Sequence, residues 1–359
     1  MSRKDNKKVK KTGVQKAIKV IAIILIVLIV ICAAAIAGGW TYINSMLGEM
    51  NKETIDQNAI GIDEATANQL KGYRNIALLG IDSRADDYGL GNRSDCIIIA
   101  SINQETKDVK LISVYRDTYL QIEENGKKVL DKVTHAYSYA GAQNTLLALN
   151  TNLDLNIKEY VTVNFDAVIA AVDALGGVTI DIDSSELKYI NSYIDATSQS
   201  SGVSSKHVTT TGKQTLDGVQ AVAYSRIRYT DGGDYKRTER MRTVVEAMVA
   251  KAKTLGVTKL INVANTILPK VSTNISKGEI LGLVPDLMSV NFSNSMGFPY
   301  TTKGITMDRW YGIPTTLESN VIKLHKEIFN DEDYTIPDTI KTISDQIVKK
   351  TGYTEEKSN

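Results

Sequence analysis

Short β-branched runs bounded by turn residues recur from residue 74 onward. "NIALLGID", "CIIIASI", "VKLISVY", "YVTVNF" and "VTIDI" read as strands with a strong apolar character. Between them lie helical patterns, "HAYSYAGAQNTLLALN" and "DAVIAAVDALGG", the second closed by Gly176-Gly177, where glycine suits a helix C-terminus. A long helix is expected from Arg237 to about Leu255, and further mixed pieces over 257–335. Thr197–Thr211 carries nine Ser/Thr in 15 positions and reads as a loop. Strands alternating with helices predict an α/β fold, a three-layer α/β/α domain with a central mixed sheet.

Ahead of this domain the pattern is different. Val20 to Gly39 is twenty uncharged, mostly apolar residues, and at ~1.5 Å per residue such a helix spans a bilayer core of ~30 Å. Residues 1–19 hold eight Lys/Arg against Asp5, which orients the span with its N-terminus in the cytoplasm. Cleavage near Ala35-Ile36-Ala37 is the alternative. The expected organisation is a cytoplasmic basic tail (1–19), a transmembrane signal-anchor (20–39), an extracellular stalk (40–70), one catalytic domain (71–335) and a polar C-terminal tail (336–359). This makes the protein a single-pass protein of the cell membrane with its domain outside.

Charge narrows the partners. The formal net charge of +1 conceals the basic tail, and the other 340 residues carry 34 basic and 40 acidic groups. An acidic domain disfavours bulk nucleic-acid binding. Cys32 and Cys96 are the two cysteines; one falls in the span and one in the domain, so the core must be stable without an internal disulfide.

No P-loop, G-x-S-x-G elbow, H-E-x-x-H or cysteine-rich metal spacing is present. His135, His207 and His325 are scattered, and His135 suits a structural role. What remains is carboxylates and arginines. Asp82 follows one predicted strand and Asp95 precedes the next. If those strands pair, both carboxylates lie at one sheet edge and suit Mg²⁺ held jointly with a phosphate. Arg84, Arg93 and Arg116 are near them in sequence. Arg226 and Arg228 share a face if extended. Arg237 and Arg240 are neighbours at a helix start, where the helix terminus also favours anions. Taken singly these are surface charges. Together they describe a Mg²⁺ and arginine site for a pyrophosphate, since guanidinium forks bind phosphate bidentately.

The ordered motifs "NIALLGIDSR", "NRSD", "LISVYRDTYL", "VDALGGVTIDI", "LDGVQAVAYSRIR" and "GDYKRTER" resemble those of the LytR-CpsA-Psr family, over Arg74 to about Val249. The resemblance implies a phosphotransferase that moves a glycopolymer, such as wall teichoic acid or capsule, from a polyprenyl-pyrophosphate carrier to peptidoglycan. A side activity on polyprenyl pyrophosphate is implied as well. It places the Mg²⁺ ligands at Asp82 and Asp95. The pyrophosphate contacts fall at Arg93, Arg116, Arg226, Arg228 and Arg237, with Arg240 close by. Asp234, Arg116 and Arg237 are the expected catalytic residues, Asp234 as proton acceptor. Expected partners are the lipid-linked glycopolymer, peptidoglycan and membrane lipid, with no nucleic acid. The sequence departs from the family pattern at Tyr115 (usually Pro), Cys96 (commonly Thr) and Met241 (frequently Gln). A membrane-bound regulator and a non-catalytic wall-assembly protein are the competing readings.

Overall fold

A computed structural model describes residues 51–83, 87–276, 279 and 291–354; the basic tail and the apolar segment 20–39 lie outside them. The first half comprises β1 (Asn51–Lys52), α1 (Glu64–Gln69), β2 (Tyr73–Ile81), β3 (Ser94–Asn103), β4 (Asp108–Val114), β5 (Tyr119–Glu124), β6 (Lys127–Lys132), α2 (Thr134–Leu153), β7 (Glu159–Val163) and α3 (Phe165–Leu175). There follow β8 (Val178–Ile182), α4 (Ser184–Ser201), β9 (Gly212–Leu216), α5 (Gly218–Arg226), α6 (Gly233–Lys253), α7 (Val257–Ile267), β10 (Val271–Thr273), β11 (Asn291–Phe298), β12 (Thr302–Thr306), β13 (Trp310–Pro314), α8 (Leu317–Phe329) and α9 (Asp338–Thr351).

Among the described residues a seven-stranded sheet runs in the order β1-β10-β7-β2-β3-β4-β11. It is mixed: β2 pairs antiparallel with β3 and parallel with β7. Because side chains alternate along a strand, each central strand feeds two cores. Ile76, Leu78, Ile98, Ala100 and Leu111 pack with α3 to α7, through residues such as Val172, Ile190, Val222 and Met248. Ala77, Leu79, Ile97, Ile99 and Ile112 face the opposite side and pack with α2, α8 and α9. Two-sided burial explains why these strands read as continuous apolar runs, and the three layers follow.

Helix ends are set by local chemistry. Asn164 accepts from the Ala167 amide to start α3, and Gly176, at φ 81°, ends it. Capping boxes at Asp183/Glu186 and Asp217/Gln220 start α4 and α5, satisfying amides that the first helical turn leaves unpaired. Gly218 at the start of α5 has a further reason to be glycine: a Cβ there would stand 2.3 Å from the Ile169 carbonyl oxygen of α3.

Four segments differ from the sequence reading. Residues 51–70, within the expected stalk, belong to the domain: β1 pairs with β10, and Ile55, Ile60 and Leu70 are buried. The expected tail beyond 335 holds α9, which buries Ile340, Ile343 and Ile347 at helical spacing. The Ser/Thr-rich run is not one loop, since α4 continues through Ser201 and closes at Gly202. Beyond it, the Asn191 side chain brackets Val208 with two hydrogen bonds. The long helix α6 starts at Gly233, one turn earlier than expected. No helix among the described residues is long and apolar enough to cross a membrane.

Candidate active site

The site begins at an irregularity between β2 and β3. Gly80 pairs with Cys96 and Ile81 with Ser94, leaving Asp95 as the extra residue of a bulge. Bulges re-aim side chains beside functional sites. Gly80 permits this one, because a Cβ there would lie 2.8 Å from the Cys96 Cβ. The two strands thus pair as expected and bring Asp95 to the same sheet end as Asp82. Both line a cavity of about 640 Å³, within the usual range for small-molecule sites.

Five arginines line the cavity. Arg116, just past β4, places Nη1 2.7 Å from Asp95 Oδ2. Arg237 in α6 lies 4.0 Å from the same oxygen through Nη1 and 3.0 Å from Asp234 Oδ1 through Nη2. Arg228, in the link between α5 and α6, lies 3.9 Å from Asp95 and 3.6 Å from Asp234. Arg226, the last residue of α5, donates to Thr197 Oγ1 and lies 5.0 Å from the Phe165 ring centre. Arg93 is exposed and lines the cavity next to the bulge. The other wall is apolar, with Leu78, Val168, Val222, Val244, Val245 and Met248 among its residues. One cavity therefore joins a cationic end to a hydrocarbon-compatible end.

Burial sets the electrostatics. It pushes the Arg237 guanidinium below its ordinary pKa, with Asp234 acting in the opposite direction and Arg228 and Arg116 adding to the fall. Burial lowers Arg226 likewise, opposed by Asp82. At Arg116 burial also acts downward, but Asp95 and Asp117 outweigh it and hold the pKa above the ordinary value. Arg237 is only 3% exposed, and its Nε has no partner among the described residues. A buried, unused guanidinium donor is costly unless a ligand accepts from it. Burial raises the Cys96 thiol to about 12, so it stays protonated and inert near neutrality.

Not every expected residue joins the site. Arg240 is 1% exposed and spends its donors on Glu186, the Ile227 carbonyl and Thr230 Oγ1. It does not line the cavity. Its helical neighbourhood with Arg237 is real, but the face it occupies packs against α4. It ties down the Ile227 carbonyl and the Thr230 hydroxyl on either side of Arg228. Asp234 pairs with Arg228 and Arg237 yet lines a neighbouring groove. His135 has the structural partner expected of it, Asp131 at 2.7 Å. Met241 lines the cavity and is nearly buried. Sequence reasoning named no member of the apolar wall, because the same Val, Leu and Met serve any core. It also missed Asp117, which braces Arg116 and Lys132.

Mg²⁺ at Asp82 and Asp95 would need donors beyond these two carboxylates. No cluster of three or more potential ligands occurs among the described residues, so a protein-only cage is absent there. Asp82 and Asp95 line the same cavity as guanidiniums that attract phosphate. Two carboxylates plus substrate phosphate oxygens form an ordinary Mg²⁺ environment.

Residues 39–320 match the family model described as LytR_cpsA_psr family. The chain belongs to the LytR_cpsA_psr family. Among relatives of this LytR_cpsA_psr protein is the polyisoprenyl-teichoic acid–peptidoglycan teichoic acid transferase TagU of Enterococcus faecalis, 36% identical over 50% of this chain and 54% of that one. TagU of Bacillus cereus is 29% identical over 74% of this chain and 82% of its own length. Among solved structures, the family protein YwtF (TagT) with bound octaprenyl pyrophosphate lipid is 26% identical, with a TM-score of 0.54, covering 73% of this chain and 91% of that one.

Proposed function

We propose that this protein is a phosphotransferase that moves a glycopolymer, of the wall teichoic acid or a related class, from a polyprenyl-pyrophosphate carrier to peptidoglycan. The carrying observation is the two-ended cavity, with arginines at one end and an apolar wall at the other. A ligand that fits both is an anionic head on a hydrocarbon chain, the chemistry of the lipid bound by TagT. The names of the transferase relatives agree with this reading. A nucleic-acid regulator has no comparable use for the apolar wall.

In the reaction a sugar hydroxyl of the acceptor attacks the phosphorus next to the glycopolymer. The new P–O bond forms as the bond to polyprenyl phosphate breaks, and Asp234 takes the hydroxyl proton. Arg116, Arg228 and Arg237 neutralise charge on the non-bridging and leaving oxygens. Mg²⁺ held by Asp82, Asp95 and phosphate would supply further charge neutralisation.

The test supplies the full chain with a polyprenyl-pyrophosphate-linked saccharide and uncross-linked glycan strands. Expected products are a phosphodiester-linked strand and polyprenyl monophosphate in equal amounts. Release of the monophosphate without a linked strand reduces the protein to a pyrophosphatase; neither product leaves a wall-assembly role.

The apolar segment 20–39 behind its basic tail supports a membrane anchor with the domain outside. The mature chain should then remain with membranes after alkaline washing, and a main product starting near Gly38 in the medium would establish cleavage.

A further inference from the structure

We infer that the groove beside the arginine cluster seats a sugar ring of the acceptor glycan. The inference rests on the transfer reaction proposed above and adds the acceptor's place to it. The groove measures about 350 Å³ and is walled by Tyr115, Tyr235 and Trp310, with the carboxylates of Asp117 and Asp234. No Lys or Arg is among its described lining residues, in contrast with the neighbouring cavity. A phosphate therefore suits the cavity, and a neutral polyhydroxyl suits the groove.

The rings are exposed but fixed. Trp310 is 43% and Tyr235 38% exposed. Trp310 lies against the bare backbone of Gly304 on the paired strand, where a Cβ would stand 2.9 Å from its Nε1. Tyr235 is held edge-on by Tyr115, with ring centres 4.4 Å apart at 76°. Tyr115 in turn rests over Gly297, where a Cβ would meet its hydroxyl at 1.9 Å. Such rings offer an apolar face to the C–H face of a sugar, while carboxylate oxygens accept from its hydroxyls. Asp234 belongs to both places, since it lines the groove and pairs with Arg237 and Arg228. A hydroxyl seated there lies beside the guanidiniums that hold the phosphate and beside the base that takes its proton.

Trp40 and Trp310 are the two tryptophans of the chain, which gives a direct readout. In the full-length Trp40→Phe protein in detergent, titration with uncross-linked peptidoglycan glycan strands should shift Trp310 emission saturably. Trp310→Ala should raise KM for the strand about tenfold, equivalent to ~1.4 kcal/mol, with kcat and Kd for octaprenyl pyrophosphate within about twofold. Trp310→Phe should restore most of the loss. Unresponsive emission, an unchanged KM in Trp310→Ala, or a parallel loss of octaprenyl pyrophosphate binding overturns the groove as an acceptor site. An emission response without any transfer by the parent protein keeps the groove and removes the transferase reading.

Discussion

Asp95→Asn should lower Mg²⁺-dependent turnover about a thousandfold, equivalent to ~4 kcal/mol of transition-state stabilisation, without weakening carrier binding measured in chelator. The two effects separate because Asp95 has two possible roles with opposite consequences. As a counter-charge it faces Arg116 at 2.7 Å, Arg228 at 3.9 Å and Arg237 at 4.0 Å. Removing its charge leaves those guanidiniums more positive, so a pyrophosphate should bind as well or more tightly. As a metal ligand it is needed for turnover, and removing its charge should cost most of the rate. Asn keeps the shape and one acceptor for Arg116, and Asp95 is partly exposed, so the fold should survive. Asp82→Ala is the companion. Asp82 is exposed and contributes little packing, yet it should abolish the same Mg²⁺ dependence. If Asp95→Asn turns over normally with Mg²⁺ present, the shared metal site is wrong. A large fall in melting temperature would instead make Asp95 a structural counter-ion.

The central strands and the first helices were legible because burial on both faces writes itself as uninterrupted Ile, Leu and Val. The site was legible where strand ends fall. Asp82 and Asp95 flank runs whose pairing could be anticipated, although the bulge that frees Asp95 needs the Gly80–Cys96 register. Other features depended on long-range contacts. The segment 51–70 is mostly polar, yet Ile55, Ile60 and Leu70 are buried in the core, and the Ile60 carbonyl accepts from Asn150, 90 residues away. The β5–β6 hairpin did carry a local signal, Asn125-Gly126 with both φ values positive, which is the turn chemistry a two-residue hairpin loop requires. Arg240 shows the limit most clearly. Spacing placed it next to Arg237, but only tertiary structure reveals that Glu186 occupies its guanidinium.

Arg237→Lys should lower turnover roughly ten- to a hundredfold, for ~1.5–3 kcal/mol, with Arg226→Lys and Arg228→Lys somewhat less affected. Lysine keeps the charge and loses the planar fork. At Arg237 Nη2 contacts the Asp95 carbonyl at 3.4 Å and Asp234 at 3.0 Å while Nη1 lies 4.0 Å from the Asp95 carboxylate; one ammonium cannot hold this two-nitrogen arrangement. Arg226 and Arg228 are less buried, so water replaces part of what they lose. Lys236→Ala is the proper control, because Lys236 is half-exposed and its ion pair among the described residues is with Glu239 on its own helix, an arrangement worth ~0–1 kcal/mol. Arg242 cannot serve as a control, although helical geometry turns it away from Arg240. That face meets β11, where Arg242 donates to the Met296 carbonyl, so its loss unpairs a half-buried acceptor. Arg240→Met tests the opposite behaviour. Breaking its buried pair with Glu186 should cost ~3–5 kcal/mol of stability, visible as a lowered melting temperature, and it should change turnover only through Arg228. If Lys236→Ala slows the reaction as much as Arg237→Lys, the cluster acts through summed charge alone. In that case the geometry of the guanidiniums has no part in the chemistry.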